Sequence, residues 1–511
     1  MKFVIITILL LFSNISFGVT NFMNQNNGNI IYYCSNKIGQ PWLENSSYDC
    51  WSHFMTAVLG TLIYVDNNGD LVPSMVESFN WDFEKNYYKL KLRENLVFHN
   101  ERKVTIEDLE FSILRSFFAK NPNNEGALAL YNLKGVEKIK HGQPYKSGLV
   151  EGVKILDKNT LALVPNTYNP SFLYNLSRAH YSLVPYEEYN DDLMTWKKWP
   201  VGAGAYKLIE EDKKNRSYQL VLVDSKNYPR APKSIYFEQE RILEPDITLK
   251  DSLSYNNSKY NKEVLSFPYM QRNINFNFSS PLGRNKDFRK AVSLAIFRDE
   301  IVKATEIETK PLNEMITTSS LGRINVLENY NLKEASRLFA KVLENQNTKV
   351  FKIPYSYDKS LFGEKYREVI VNQLSKAGLQ IEFYEGKNLW EPYTNEFQNS
   401  PFSLDSLMSD AFDFISTFTG YAKSGGASSS VYYYETETLE NLIQIAKISN
   451  NREILNERLK NLSKYFHENV IMVPLFETNA VVIYKPEKIE SLGKQFGESI
   501  FYLHNIEMRY E

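Results

Sequence analysis

The chain carries few of the groups that do chemistry. Only two cysteines, Cys34 and Cys50, occur in 511 residues, too few for a scaffold built on disulfides. The six histidines (His53, His99, His141, His180, His467 and His504) include no pair at i, i+2 or i, i+4, and no HExxH is present, so no local metal motif exists. There is no GxxxxGK[ST] loop, no GxGxxG after a strand and no GxSxG elbow; Gly202-Ala203-Gly204 is a tight backbone turn, not a nucleotide fingerprint. One SxxK, Ser356-Tyr357-Asp358-Lys359, lacks companion motifs and reads as a strand-to-helix loop. Charge of one sign is lacking as well. Lys+Arg is 59 and Asp+Glu 61, without the basic surplus that a nucleic-acid groove needs to displace counterions. No stretch reaches the roughly 18 uninterrupted apolar residues of a membrane helix. The expectation is a protein with no catalytic site, no metal, no cofactor, no nucleic-acid partner and no membrane insertion.

Length and aromatics are what the chain does have. At about 150 residues per domain it predicts about three domains, and at least two cores, since one core seldom exceeds about 250–300 residues. The 34 Tyr and 31 Phe either fill those cores or line sites needing apolar faces with hydroxyl handles. At the N-terminus Lys2 precedes an apolar run, Phe3 to Phe12, and Ser16-Phe17-Gly18 places small residues at −3 and −1 of a cleavage site. Residues 1–18 read as a signal peptide too short to span a bilayer. An exported, periplasmic chain makes Cys34–Cys50 a predicted disulfide, worth about 3 kcal/mol for a loop of that size. Ile31-Tyr32-Tyr33 before Cys34 lacks the small residues of a lipoprotein site, so no lipid anchor is expected.

Periodicity places the elements. Asn29–Cys34 reads as a strand and Phe54–Val65 as a helix before the turn Asp66-Asn67-Asn68-Gly69-Asp70. Tyr88, Leu90 and Leu92 alternate with Lys89, Lys91 and Arg93, the pattern of a half-exposed strand. Thr105 with Asp108 forms a capping-box variant ahead of a helical stripe from Ile106 to Phe118. Short strands are predicted at 153–156, 160–164 and 218–223. A second stripe runs through Phe288, Ala291, Val292, Ala295, Ile296 and Ile301. Helices at 332–343 and 362–376 alternate with strands at 349–355 and 379–384, a β-α-β order that predicts an α/β lobe. A long helix, 451–469, precedes strands at 470–475 and 480–484. Trp196-Lys197-Lys198-Trp199-Pro200 reads as a surface segment that packs its indoles rather than a single-strand nucleic-acid platform.

Several segments, in order, resemble the oligopeptide/dipeptide-binding proteins of ABC importers (extracytoplasmic solute-binding proteins, family 5). Val72-Pro73-Ser74-Met75-Val76-Glu77-Ser78-Phe79-Asn80-Trp81 is similar to the family's P-x-L-A-E-S-W stretch. Tyr88 to Arg93, then Phe98-His99-Asn100 and Val104 to Leu109, look like its F-x-L-R…F-H-D-G-x-P-h-T-A-x-D-V signature. Pro200-Val201-Gly202-Ala203-Gly204-Ala205-Tyr206-Lys207-Leu208 resembles P-V-G-T-G-P-Y-x-L, and Asn277…Pro281…Asp287 to Ala291, then Ala295 to Arg298, looks like N…P…D-x-R-x-A…A-I-D-R. The chain departs from the pattern at Glu101, Lys103, Ala203, Ala205 and Phe297. It also departs in 412–422, where peptide-binding members carry an Asp that pairs with the peptide's α-amino group and this chain places Ala422.

The resemblance implies a fold and a role. The fold would be α/β, a two-lobed periplasmic-binding-protein fold (type II-like) with an extra α/β domain inserted in the first lobe. Lobe I would comprise 19–55, 196–265 and 476–511, the inserted domain 56–195, and lobe II 266–475. Such receptors close around a solute by hinge bending and hand it to the permease subunits of an ABC importer; a monomer is expected. Trp390, Phe418, Gly420 and Tyr421 would line the second-lobe wall of the binding site, and Ser35 with Asn36 the first-lobe wall. Losing the carboxylate at Ala422 removes the partner of a buried ammonium, which points away from free-amine peptides. The other readings of the residues are a periplasmic chaperone or sensor-type binding protein, and a secreted hydrolase.

Overall fold

The computed structural model describes residues 28–33, 50–66, 68–120, 130, 132–166, 168–169, 172–198, 200–212, 217–239, 244–249, 258–355, 362–386, 400–408, 415–422, 434, 436–449, 451–493 and 501–509. The signal segment, Cys34, Ser35, Asn36, Ser356 to Lys359, Trp390 and Trp199 lie outside them, as does the side chain of Cys50. Two compact units emerge: residues 1–166, 176–264 and 481–511 form unit 1, and 167–175 with 265–480 form unit 2.

Unit 1 is mixed α/β. Its first strand, β1 (Asn29–Tyr33), precedes α1 (Cys50–Leu59). The single helix expected over 54–65 is two elements, because Gly60 ends the helix and Ile63–Val65 turns into a short hairpin strand paired with Leu71–Pro73. Next come β2 (Val76–Asp82), β3 (Tyr87–Leu92), α2 (Ile106–Phe118), β4 (Val153–Asp157) and β5 (Thr160–Leu163). The four strands form an antiparallel sheet in the order β2-β3-β5-β4. Tyr88, Leu90 and Leu92 face inward as their alternation requires. The Thr105 amide donates to Asp108 Oδ2 at 2.8 Å, one arm of the expected capping box. The larger sheet adds β6 (Tyr206–Asp212), β7 (Ser217–Leu222), β8 (Ser234–Glu238) and β9 (Ile247–Leu249). β1 pairs in parallel with both β8 and β9, while β6, β7 and β8 run antiparallel. Trp196 does pack, its ring 4.2 Å from that of Tyr189.

The glycine turn at 202–204 locks α1 to the segment after β3. A Cβ on Gly204 would lie 2.3 Å from Ala57 O and one on Gly202 would lie 2.2 Å from Val58 O. The turn also ties down His99, whose amide donates to Gly202 O at 2.8 Å and whose Nε2 donates to Gly204 O at 3.0 Å. Here the backbones approach too closely for any side chain. Gly204→Ala is therefore expected to destabilise unit 1 by about 3 kcal/mol, the upper end of overpacking costs. An unchanged thermal transition of unit 1 in the variant would show that the turn yields freely.

Unit 2 is mixed α/β as well. In chain order its elements are β10 (Asn261–Phe276), α3 (Lys286–Ala295), α4 (Arg298–Lys303), α5 (Leu332–Leu343), β11 (Phe351–Tyr355), α6 (Lys365–Ala377), β12 (Ile381–Glu385), β13 (Phe402–Met408), α7 (Glu437–Lys447), α8 (Arg452–Asn469) and β14 (Met472–Tyr484). The strand order is β12-β11-β13-β10-β14. β11 is parallel to β12 and β13, and β13 is antiparallel to β10. The chain crosses between units inside β10, at 264/265, and inside β14, at 480/481. The stripe from Phe288 to Ile301 is buried as its spacing predicts, though it is divided between α3 and α4. β14 is one continuous strand where two were expected.

Candidate functional site

β10 and its partner β13 present two chemically different faces. Along Gln271-Arg272-Asn273-Ile274-Asn275-Phe276, alternation puts Arg272, Ile274 and Phe276 on one face, opposite Ser406, Leu404 and Phe402 of β13. That face is core: Phe276 packs on Phe402 and on Phe288 of α3, and Arg272 donates to Tyr366 Oη and Ser406 Oγ at 3.2 and 2.9 Å.

The other face is polar and equally buried. Gln271, Asn273, Asn275, Ser403 and Asp405 are all at most 8% exposed. Asp405 accepts from Ser403 Oγ and from Asn275 Nδ2. Tyr421 Oη donates to Asn275 Oδ1 at 2.7 Å. Burial first, and the Asp405 carboxylate second, raise the Tyr421 phenol, which keeps it a donor. Beyond this chain the bonding stops: Asn273 Oδ1, Asn273 Nδ2 and Gln271 Oε1 are buried with no hydrogen-bond partner among the described residues. An unpartnered buried polar atom costs about 1–3 kcal/mol, and folded proteins seldom tolerate three on adjacent strand positions without a use for them.

The segment singled out in sequence reaches this face at one point. Tyr421 supplies the hydroxyl. Phe418 is fully buried, with its ring 5.2 Å from Phe466 of α8, and the Tyr421 ring lies 5.4 Å from the same Phe466. Gly420 is half-buried at the turn between them. Ala422 is buried, its amide donating to Thr419 O at 3.0 Å, so a methyl stands where a carboxylate was sought. Ser35, Asn36 and Trp390 lie outside the described residues. Gln271, Asn273, Asn275, Ser403 and Asp405 went unnoticed in sequence; a period-2 run of carboxamides, Gln-x-Asn-x-Asn, is the signal that could have found them. Among the described residues no group of three or more His, Cys, Asp or Glu could hold a metal ion, and no helix is long and apolar enough to cross a membrane.

A buried polar face of this kind can hold a polar solute through hydrogen bonds. The family profile of the bacterial extracellular solute-binding proteins, family 5, matches residues 70–249 and 239–429. The chain belongs to this family. Its members are binding proteins, not catalysts, and the hydrolase reading falls away. Solved structures of the family share the fold. A putative peptide-binding protein AppA from Clostridium difficile superposes with a TM-score of 0.76 at 18% identity, covering 94% of this chain and 100% of that one. DppA from Helicobacter pylori, in complex with the peptide STSA, gives 0.69 at 16%, covering 94% and 98%. NikZ from Campylobacter jejuni, in complex with Ni(L-His), gives 0.68 at 16%, covering 94% and 99%. No curated protein sequence matches the chain. The α/β fold expected from the ordered motifs is thus the fold of family 5.

Proposed function

We propose that this family 5 protein is the exported receptor of an ABC importer and captures a neutral or weakly charged oligomeric solute through hydrogen bonds. The unpartnered carboxamides of Asn273 and Gln271 carry the reading. Each amide can donate and accept, and by alternation both share the strand face of Asn275, which accepts from Tyr421 Oη; the Asp405 carboxylate on that face already accepts from Ser403 and Asn275. Ala422 adds no charge. A peptide like the one held by the Helicobacter pylori relative fits if its backbone amides, rather than its ammonium, make the contacts. The lobe boundaries given above, 19–55, 196–265 and 476–511 with 56–195 inserted and 266–475 opposite, belong to the same proposal, as do the periplasmic address and the permease partners.

Mass spectrometry of small molecules released from natively purified protein tests it. A neutral or weakly charged oligomer is expected, and Asn273→Ala should reduce its recovery at least tenfold, as leaving polar ligand groups unpaired does. Recovery mainly of free-amine peptides would overturn the neutral-solute reading. Co-purification of a protein client with no small molecule would favour the chaperone or sensor instead.

A further inference from the structure

Unit 2 contains a cavity of about 400 Å³ between α3, the start of α4, residues 313–315, the end of α8 and the start of β14. Its volume falls in the small-molecule range of about 300–1,000 Å³. The charges on its wall do not cancel. Arg298, 2% exposed, donates from Nε to Leu312 O and Pro474 O and from Nη1 to Glu328 Oε1 at 2.7 Å; its Nη2 has no hydrogen-bond partner among the described residues. Glu314 is spent on the amides of Ile324 and Asn325 and on Arg323 at 2.8 Å. Glu468 lies 3.9 Å from Lys464. Lys286 Nζ donates only to the neutral Asn469 Oδ1, at 3.2 Å. Among the described residues Lys290 makes no ion pair; the carboxylates it acts on at longer range, Asp287 and Glu334, are engaged by Lys341 and Arg337. His467 also lines the space, and burial lowers its pKa, which keeps it neutral near pH 7. With the internal pairs discounted, two lysine charges and one guanidinium amine remain. An unspent buried acceptor is Asn313 Oδ1, which has no hydrogen-bond partner among the described residues.

We propose that this cavity is a second ligand site, which takes a small hydroxylated carboxylate anion. The lysines supply charge, Arg298 Nη2 a charge-assisted hydrogen bond to a carboxylate, and Asn313 Oδ1 accepts from the hydroxyl. The occupant is chemically unlike the neutral solute of the polar face. The two sites share a wall: Phe466 packs on Tyr421, and Met472 Sδ lies 3.6 Å from Tyr421 Oη.

Calorimetric titration of the intact protein with citrate and with tricarballylate, which is citrate without its hydroxyl, tests the site. One citrate per chain is expected, weakened at least tenfold by Lys286→Ala with Lys290→Ala, both exposed positions that leave the fold intact. Tricarballylate should bind about fivefold more weakly, the worth of one hydrogen bond, and Asn313→Ala should erase that difference. No citrate binding at 10-fold above about 1 mM, or binding indifferent to both lysines, would overturn the proposal; equal affinity for the two anions would overturn the role of Asn313. Solute release from the polar face is read separately, so failure of either proposal is visible without the other.

Discussion

Lowering the pH from 7 to 4.5 is expected to drop the thermal transition of unit 1 by about 10 °C or more while moving that of unit 2 much less. Unit 1 holds His99, His180 and His504, each pushed down to about 4, with burial the leading cause in all three. Lys207 adds to the shift at His99, and Arg178 and Arg115 add to it at His180. His99 and His504 each have Nδ1 buried without a partner, so a proton there would be a desolvated, unbonded cation. The unfolded imidazole titrates near 6.5. Between about 6.5 and 4 the unfolded chain therefore binds protons that the folded chain refuses. Stability is whole above that window and falls as pH drops through it. The full difference is worth about 3 kcal/mol for the buried His504, and less for His99 and His180, which are half-buried residues. Together these are a large part of the about 5–15 kcal/mol that holds a domain, and about 2–4 °C follows each kcal/mol in a unit of this size. Unit 2 has a single histidine, His467, which is exposed and whose pKa is lowered; its carboxylates with lowered pKa, Asp287 and Glu334, titrate mostly below this window. Calorimetry at several pH values, with hydrogen exchange to assign the transitions, checks the result. Parallel shifts of both units would refute it, and His504→Gln should flatten the slope for unit 1.

What could be read from sequence was what local physics decides. The stripe of α5 needs only its own spacing to bury Ala335, Leu338 and Phe339. The stop of α6 needs only Gly378, which sits at φ 103°. The strands that carry the buried polar face escape a sequence reading for the opposite reason. β10 is not legible because Gln271, Arg272, Asn273 and Asn275 look like solvent-facing residues. β13 was missed because Ser403, Asp405 and Ser406 interrupt its apolar pattern. Their partners stand far off in sequence: Asn275 bonds Asp405 across 130 residues and Arg272 bonds Ser406 across 134. β14 was divided in two at Glu477-Thr478-Asn479 for the same cause. Glu477 is buried because Thr318 donates to it from both its amide and its hydroxyl, and Asn479 because it reaches Leu265 O. A buried polar strand is legible only once its partners are placed.

Arg289→Met is expected to be among the most damaging single substitutions in unit 2, costing about 3–5 kcal/mol, the range for breaking a buried charged network. The guanidinium is 1% exposed and closes two chain ends at once. Its Nη1 donates to Gly283 O and Arg284 O, at 3.0 and 2.7 Å, where the short helix Pro281–Arg284 ends. Nη2 and Nε donate to Asn469 O and Val470 O, both at 2.9 Å, at the end of α8. Helix C-termini leave carbonyls unsatisfied and attract cations; here one planar fork serves both. Val470 sits at φ 47°, a conformation a β-branched residue adopts only when its surroundings hold it, and the bond to its carbonyl is part of that hold. The rings of Phe278 and Tyr434, 5.3 and 5.5 Å from the guanidinium carbon, complete the cage. Methionine fills a similar volume but takes the donor from four carbonyls, that of Gly283 buried and the other three partly so. Lysine could reach one or two of them and lacks the fork, so Arg289→Lys should lose roughly half as much. Urea titration of the two variants measures both numbers. If Arg289→Met unfolds at the wild-type midpoint, the four carbonyls find other donors and Arg289 does not hold the two helix ends together.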